Sequence, residues 1–117
     1  MVIIIEDDRA TQKALGRMLR AGGFDTVMYG SAEEFLESPP PCLPTCLVVD
    51  VHLGAMSGLD LQRRLKADGS RLPIIVMTAF DDARVRAEAY RNGCFGYVPK
   101  ESDGEVLLAL LRSLPGF

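Results

Sequence analysis

Five short apolar runs recur along the chain, each separated from the next by a segment with helical spacing. The runs are 1–5 (MVIII), 24–29 (FDTVMY), 46–50 (CLVVD), 73–78 (PIIVMT) and 95–98 (FGYV). Four are nearly continuous in apolar residues, the pattern of strands covered on both faces. The second alternates, with Phe24, Thr26 and Met28 on one side, which suits an edge strand. Between the runs, Ala14, Leu15, Met18 and Leu19 share a stripe within 9–21, and Leu61 and Leu65 stand four apart within 58–67. Val85, Ala89 and Tyr90 fall close together within 82–92. The order βαβαβαβαβα leaves little choice of architecture. It implies an α/β domain, a parallel sheet with helices on both faces joined by right-handed crossovers.

Local chemistry marks the helix ends. Ser31 with Glu34 and Ser102 with Glu105 read as capping boxes, and Ser57 with Asp60 is a similar start. Gly22-Gly23 and Asn92-Gly93 read as stops. The stretch SPPPCLP before the third strand is a rigid connection, and no repeat or second domain is visible, so residues 1–117 are read as one domain. A chain of this length typically buries about two-thirds of its unfolded surface.

Composition narrows the function. A net charge of −3 supplies no electrostatic footprint for direct nucleic-acid binding. No apolar stretch reaches the 18 or so residues of a membrane span. MVIII runs straight into Glu6-Asp7-Asp8 without a basic segment, so no signal peptide is expected. Three cysteines (Cys42, Cys46, Cys94) and a single histidine form neither a disulfide framework nor a zinc site, and reduced thiols suit the cytoplasm.

What remains is the set of polar residues at strand ends. The first strand ends in Glu6-Asp7-Asp8, the third in Asp50, the fourth in Thr78-Ala79, and the fifth leads into Pro99-Lys100. Parallel sheets bind ligands beyond these carboxyl ends. With strands one, three and four side by side, three carboxylates about 5 Å apart repel by a few kcal/mol per pair. A divalent cation resolves that conflict, and oxygen donors without a histidine or thiol cluster favour Mg²⁺. Lys100 and the Thr78 hydroxyl then suit the oxygens of a phosphoryl group.

With these residues in place the chain resembles, over essentially its whole length, the receiver domain of two-component response regulators. Glu6-Asp7 is similar to the family's acidic pair, and DVHLGAMSG to its D-x-x-[LM]-P-x-[ML]-x-G phosphoacceptor loop, with Asp50 as acceptor. VMTA carries the switch hydroxyl Thr78, Tyr97 matches the aromatic switch position, and Lys100 the essential lysine. YGSAEEFL is similar to receivers that carry a LuxR-type helix-turn-helix output. The resemblance implies a flavodoxin-like (βα)5 sandwich with strand order 2-1-3-4-5. It implies that Asp50 takes a phosphoryl group from a sensor histidine kinase or a small phosphodonor, catalysing only its own phosphoryl transfer and dephosphorylation. Mg²⁺ is then held by Asp7, Asp50 and the His52 backbone carbonyl, with Glu6 acting through water. Lys100 pairs with Asp50 at rest, and Thr78 and Tyr97 move together on phosphorylation. Implied partners are the kinase and a C-terminal DNA-binding output domain outside the chain. Val85, Tyr97, Leu107, Leu110 and Leu111 stand at plausible positions on one face; most leucines of EVLLALLRSL must pack on the sheet, core packing being the ordinary reading for any one of them, and a surplus would support a phosphorylation-dependent homodimer.

Two departures from the family pattern carry expectations of their own. Gly54 replaces the usual proline, which should loosen the acceptor loop. Lys100 is preceded by Pro99 and followed by Glu101 instead of proline, so the family's cis bond is not expected there, and either Lys100 is less firmly placed or the loop takes a different route. His52 and Phe80, each two residues past Asp50 and Thr78, flank the path of attacking water.

Taken singly, each residue has an ordinary reading. Asp50 is a turn or cap residue, Asp8 a helix cap, Thr78 a strand residue, Lys100 a surface lysine, Tyr97 a half-buried aromatic and His52 a solvent-facing side chain. Five matches in order, each at the end of its proper strand, outweigh those readings. Two rival classes are a pseudo-receiver, the same fold used as an unphosphorylated interaction module, and an aspartyl-nucleophile phosphohydrolase of the haloacid dehalogenase type. The second usually needs an aspartate where this chain has His52, and a nucleotide hydrolase lacks its GxxxxGK[ST] loop.

Overall fold

The computed structural model describes residues 1–115. Strands β1 (Val2–Ile5), β2 (Thr26–Tyr29), β3 (Cys46–Asp50), β4 (Ile74–Thr78) and β5 (Gly96–Pro99) alternate with helices. The helices are α1 (Arg9–Ala21), α2 (Ala32–Glu37), α3 (Gly58–Ala67), α4 (Ala83–Arg91) and α5 (Gly104–Arg112). All pairings are parallel and the order is β2-β1-β3-β4-β5. The register sets Ile5 beside Val49, Asp50 beside Met77, and Thr78 beside Pro99, so the ends of β1, β3, β4 and β5 form one rim.

The alternation along each strand builds two cores. Val2, Ile4, Val48 and Ile75 pack on one side with Leu19 of α1 and Leu107 and Leu111 of α5. Ile3, Ile5, Val49 and Val76 pack on the other with Phe35 of α2, Leu61 of α3 and Ala89 of α4. Each such large aliphatic side chain contributes about 2 kcal/mol by leaving water. β2 is an edge, as its alternation predicts. β5 is the other edge, and its residues alternate between buried and half-buried. The wholly apolar look of 95–98 does not reveal that, because Tyr97 keeps one end in water.

Helix starts follow the sequence with one exception. Asp8 caps α1 by accepting the Thr11 amide at 2.9 Å. Ser57 and Asp60 form a complete reciprocal box. Ser31 accepts the Glu34 amide, while Glu34 reaches back to the Gly30 amide instead of that of Ser31. Ser102 does not cap α5. Asp103 does, its carboxylate taking the Glu105 amide at 3.1 Å, while the Ser102 amide closes a turn on the Pro99 carbonyl. An ionised oxygen is the stronger acceptor at a positive helix end. Gly23 and Gly93 stop α1 and α4 with φ of 93° and 82°.

Cys46 is buried in β3 and its thiol is pushed up to about 12; Cys94, half-buried, is pushed up to about 11, and burial is the cause in both. Cys42 is exposed, and all three thiols are free. No helix among the described residues is long and apolar enough to cross a membrane.

Candidate functional site

β3 carries its apolar run to Asp50, whose side chain is only 6% exposed. Its two oxygens have separate partners. Oδ1 accepts the His52 amide at 3.1 Å and Oδ2 accepts Lys100 Nζ at 2.9 Å. Lys100 Nζ also donates to Glu6 Oε1 at 2.5 Å, so one ammonium bridges the ends of β1 and β3. Burial opposes that charge, but the hydrogen bonds from Glu6 and Asp50 outweigh it and hold the ammonium above its usual range. Glu6 is 1% exposed, and burial pushes its carboxyl above the ordinary value, with the Asp50 charge adding to the rise against the Lys100 bond.

Oxygens of Glu6, Asp7 and Asp50 lie within 4.8 Å of one another. This is the spacing expected of strand ends one and three side by side. The donors are all hard carboxylate oxygens, and neither imidazole nor thiol belongs to the group, so the set fits Mg²⁺ and not zinc. Glu6 is committed to Lys100 and to the Asp8 amide at 3.2 Å, whereas Asp7 is exposed at the rim.

Backbone bonds hold the lysine in place. The Lys100 amide donates to the Thr78 carbonyl at 2.7 Å, and every peptide bond among the described residues is trans. The expectation of a loosely placed Lys100 is therefore corrected, because two carboxylates fix its head and β4 fixes its main chain. Gly54 does not take a positive φ, and nothing lies within 4 Å of where a Cβ would stand.

Thr78 is fully buried, and its hydroxyl donates to the Phe80 carbonyl and accepts the Phe80 amide, each at 3.1 Å. The Phe80 ring meets His52 edge to face at 5.4 Å, so the two residues expected to flank the site touch each other above it. Tyr97 is half-buried on β5, and its hydroxyl donates to Asp81 Oδ1 at 3.2 Å. On the face considered for dimerisation, Leu107 and Leu111 belong to the core, the ordinary reading of leucines in this helix. Val85, Tyr97 and Leu110 are half-buried, and Val106 is an exposed large apolar residue of α5.

Four contributing residues were not singled out in the sequence, and only the last of them had a signal there. Glu33 of α2 accepts the Met56 amide at 3.2 Å and steadies the acceptor loop. Asp81 and Arg86 pair beside Tyr97. Gly58 sits so close to the end of β3 that a Cβ there would lie 2.2 Å from the Asp50 carbonyl oxygen. The terminal glycine of the loop motif was the available hint.

A doubly wound five-stranded sheet with an acidic cluster, a lysine and a buried threonine at one rim defines a signalling domain of the receiver class. Residues 2–112 match the family model described as response regulator receiver domain, and the chain belongs to that family. It is 34% identical over 114 residues to nodulation protein W and 30% identical over 112 residues to the transcriptional regulatory protein FixJ, both of Bradyrhizobium diazoefficiens. These alignments take in 97% and 96% of this chain but 50% and 55% of the relatives, so the chain spans about half their length. The solved structure of FixJ-N superposes with a TM-score of 0.86 at 32% identity, covering 95% of this chain and 89% of that one. Full-length FixJ from B. japonicum gives 0.87 at 30% identity, covering 96% of this chain and 55% of that one.

Proposed function

We propose that Asp50 is the phosphoacceptor of this receiver domain, which residues 1–117 make up, and that a sensor histidine kinase is its phosphodonor. An Asp50 oxygen attacks phosphorus as the P–N bond of the donor phosphohistidine breaks. The electron pair leaves with the imidazole nitrogen, and a P–O bond forms at Asp50. With acetyl phosphate as donor, acetate leaves instead.

Receiver domains are generally Mg²⁺-dependent. Asp7, Asp50 and the His52 carbonyl are the residues that would hold the ion directly, with Glu6 acting through water. When bound, it neutralises phosphoryl oxygens as they gather negative charge. Lys100 gives up its bond to Asp50 and pairs with the phosphoryl group, which leaves it anchored by Glu6 throughout. Thr78 exchanges its bonds to Phe80 for a phosphoryl oxygen, and Tyr97 turns into the space released. Beyond that self-directed chemistry the domain is a switch, not an enzyme. The names of two relatives, both transcriptional regulatory proteins, support a role in transcription regulation; the same reading adds a DNA-binding output domain outside this chain, a cytoplasmic location and a phosphorylation-dependent homodimer through α4, β5 and α5.

The observation that carries this reading is Asp50 at the end of a buried central strand, ion-paired to Lys100 and within 4.8 Å of two further carboxylates. The test is intact mass after incubation with acetyl phosphate or phosphoramidate, with and without Mg²⁺, beside Asp50→Asn. A gain of one phosphoryl group that needs Mg²⁺ and vanishes in the variant is the expected result. No gain from either donor or from a phosphorylated kinase would leave the pseudo-receiver.

A further inference from the structure

Tyr97 is not merely packed in its resting position. Its hydroxyl donates to Asp81 Oδ1 at 3.2 Å, and that carboxylate is gripped by Arg86 Nη2, which lies 2.7 Å from both of its oxygens. The same guanidinium lies 5.3 Å from the centroid of the Tyr97 ring, within cation–π range. Arg86 therefore touches Tyr97 twice, once across its face and once through Asp81.

The position of Asp81 gives this cluster a consequence. It follows Phe80 in the β4–α4 connection, and Phe80 is the residue whose amide and carbonyl both engage the Thr78 hydroxyl. One short loop thus holds both switch side chains, Thr78 through its main chain and Tyr97 through a carboxylate. A movement of Thr78 toward the rim breaks two bonds to Phe80 and frees the loop that carries Asp81.

We infer that Asp81 and Arg86 are positioning residues that latch Tyr97 in its resting orientation and so set the resting bias of the switch. This rests on the reading of Asp50 as phosphoacceptor. The latch is weak by construction. The ion pair is about half exposed, at 48% for Arg86 and 40% for Asp81, so solvent screens it and its loss shifts a two-state equilibrium by about 1.5- to fivefold. A device of that size tunes a switch without locking it. Burial, with the Asp81 carboxylate adding to it, holds the Tyr97 phenol above its usual range, in keeping with a hydroxyl that stays protonated and donates.

The test uses protein labelled with 3-fluorotyrosine, the Tyr97 fluorine resonance being assigned by its loss in Tyr97→Phe. Asp81→Ala and Arg86→Ala are expected to move that resonance in the same direction in unphosphorylated protein, toward its position after phosphorylation. They should also speed phosphorylation by acetyl phosphate about 1.5- to fivefold, since more of the protein then rests in the receptive state. Arg86→Lys, which keeps a cation over the ring and beside Asp81, should stay near wild type in both measurements. A Tyr97 resonance unmoved in both alanine variants overturns the latch, and so does a moved resonance with an unchanged rate. If wild-type protein takes up no phosphoryl group, the phosphoacceptor reading fails. The resonances of the unphosphorylated variants then decide the latch alone, a common shift sustaining it and no shift ending it.

Discussion

Replacing Gly58 by alanine should damage stability and chemistry together, through a single collision. An added Cβ would lie 2.2 Å from the Asp50 carbonyl oxygen, 2.9 Å from its carbon and 3.1 Å from Val51 Cα. Ordinary carbon–oxygen contacts begin near 3.3 Å, so the start of α3 and the end of β3 must part by about 1 Å. Neither side yields easily. The Gly58 amide donates to the Val51 carbonyl at 3.0 Å, the Val51 amide donates to the Met77 carbonyl at 2.9 Å, and Asp50 is held in register on β4. Overpacking of this kind costs about 1–3 kcal/mol, toward the upper end where the obstacle is backbone. Alanine recovers up to about 1 kcal/mol of helix propensity, leaving a net loss of about 2 kcal/mol. For a domain of this size that lowers the melting midpoint by about 8 °C. Because the atom that must move belongs to Asp50, phosphorylation by acetyl phosphate should slow by about 100-fold, the usual effect of a 1 Å misplacement. Circular dichroism gives the first quantity, and intact mass against time, well below both melting midpoints, gives the second. Gly54→Ala is the control: nothing lies within 4 Å and φ is not positive, so both values should hold, with stability rising slightly. A Gly58→Ala protein with wild-type midpoint and wild-type rate would refute the steric reasoning.

Removing the bridging cation has a different signature. Lys100→Met leaves Glu6 and Asp50 facing each other and should destabilise the protein by about 2 kcal/mol, part of which added Mg²⁺ restores by supplying the lost charge; urea unfolding with and without the metal decides it. For pH, the sign follows from Glu6, whose carboxyl the fold holds above 4.5. Its contribution is complete below that value and is lost as pH rises through the higher folded one. The stability difference between wild type and Glu6→Gln should therefore fall with rising pH across that window, and a flat difference would contradict it. Phe80→Ala opens the aromatic contact over the site and should shorten the lifetime of the phosphorylated protein several-fold, measured as mass decay after the donor is removed; an unchanged lifetime would exclude His52 and Phe80 as a barrier to water.

What the sequence made legible is what periodicity and strand ends encode. The five runs specified the sheet, and because a parallel sheet gathers its carboxyl ends on one side, Glu6, Asp7, Asp50, Thr78 and Lys100 could be placed together before any contact was known. Of the bonds between distant side chains, the Lys100–Asp50 pair was implied by the family resemblance and is present, but others were not legible. Glu6 and Lys100 are 94 residues apart, and no spacing rule pairs them. Arg86 and Asp81 are five apart, but their meaning depends on Tyr97 arriving from another strand. The cap of α5 was missed by one position because Ser102 and Asp103 are both good acceptors and only the turn from Pro99 chooses between them. In EVLLALLRSL the sequence says that most leucines pack on the sheet without saying which, and Leu107, Leu108, Leu111 and Leu114 are the ones buried there.

The three free thiols have a use that no expectation assigned to them. Cys42 stands in water on the proline-rich connection, Cys94 is half-covered at the end of α4, and Cys46 lies at 0% exposure in the strand that ends in Asp50. A thiol reacts as its thiolate, and access falls in that order, with burial pushing the Cys94 and Cys46 thiols up as well. Cys42 is open to reagent in the native state, whereas Cys46 becomes open only when β3 itself comes apart. The unmodified chain thus carries its own clock for the opening of the strand that bears Asp50. Comparing the labelling of Cys46 in resting and phosphorylated protein would read how far the modification tightens or loosens the centre of the sheet.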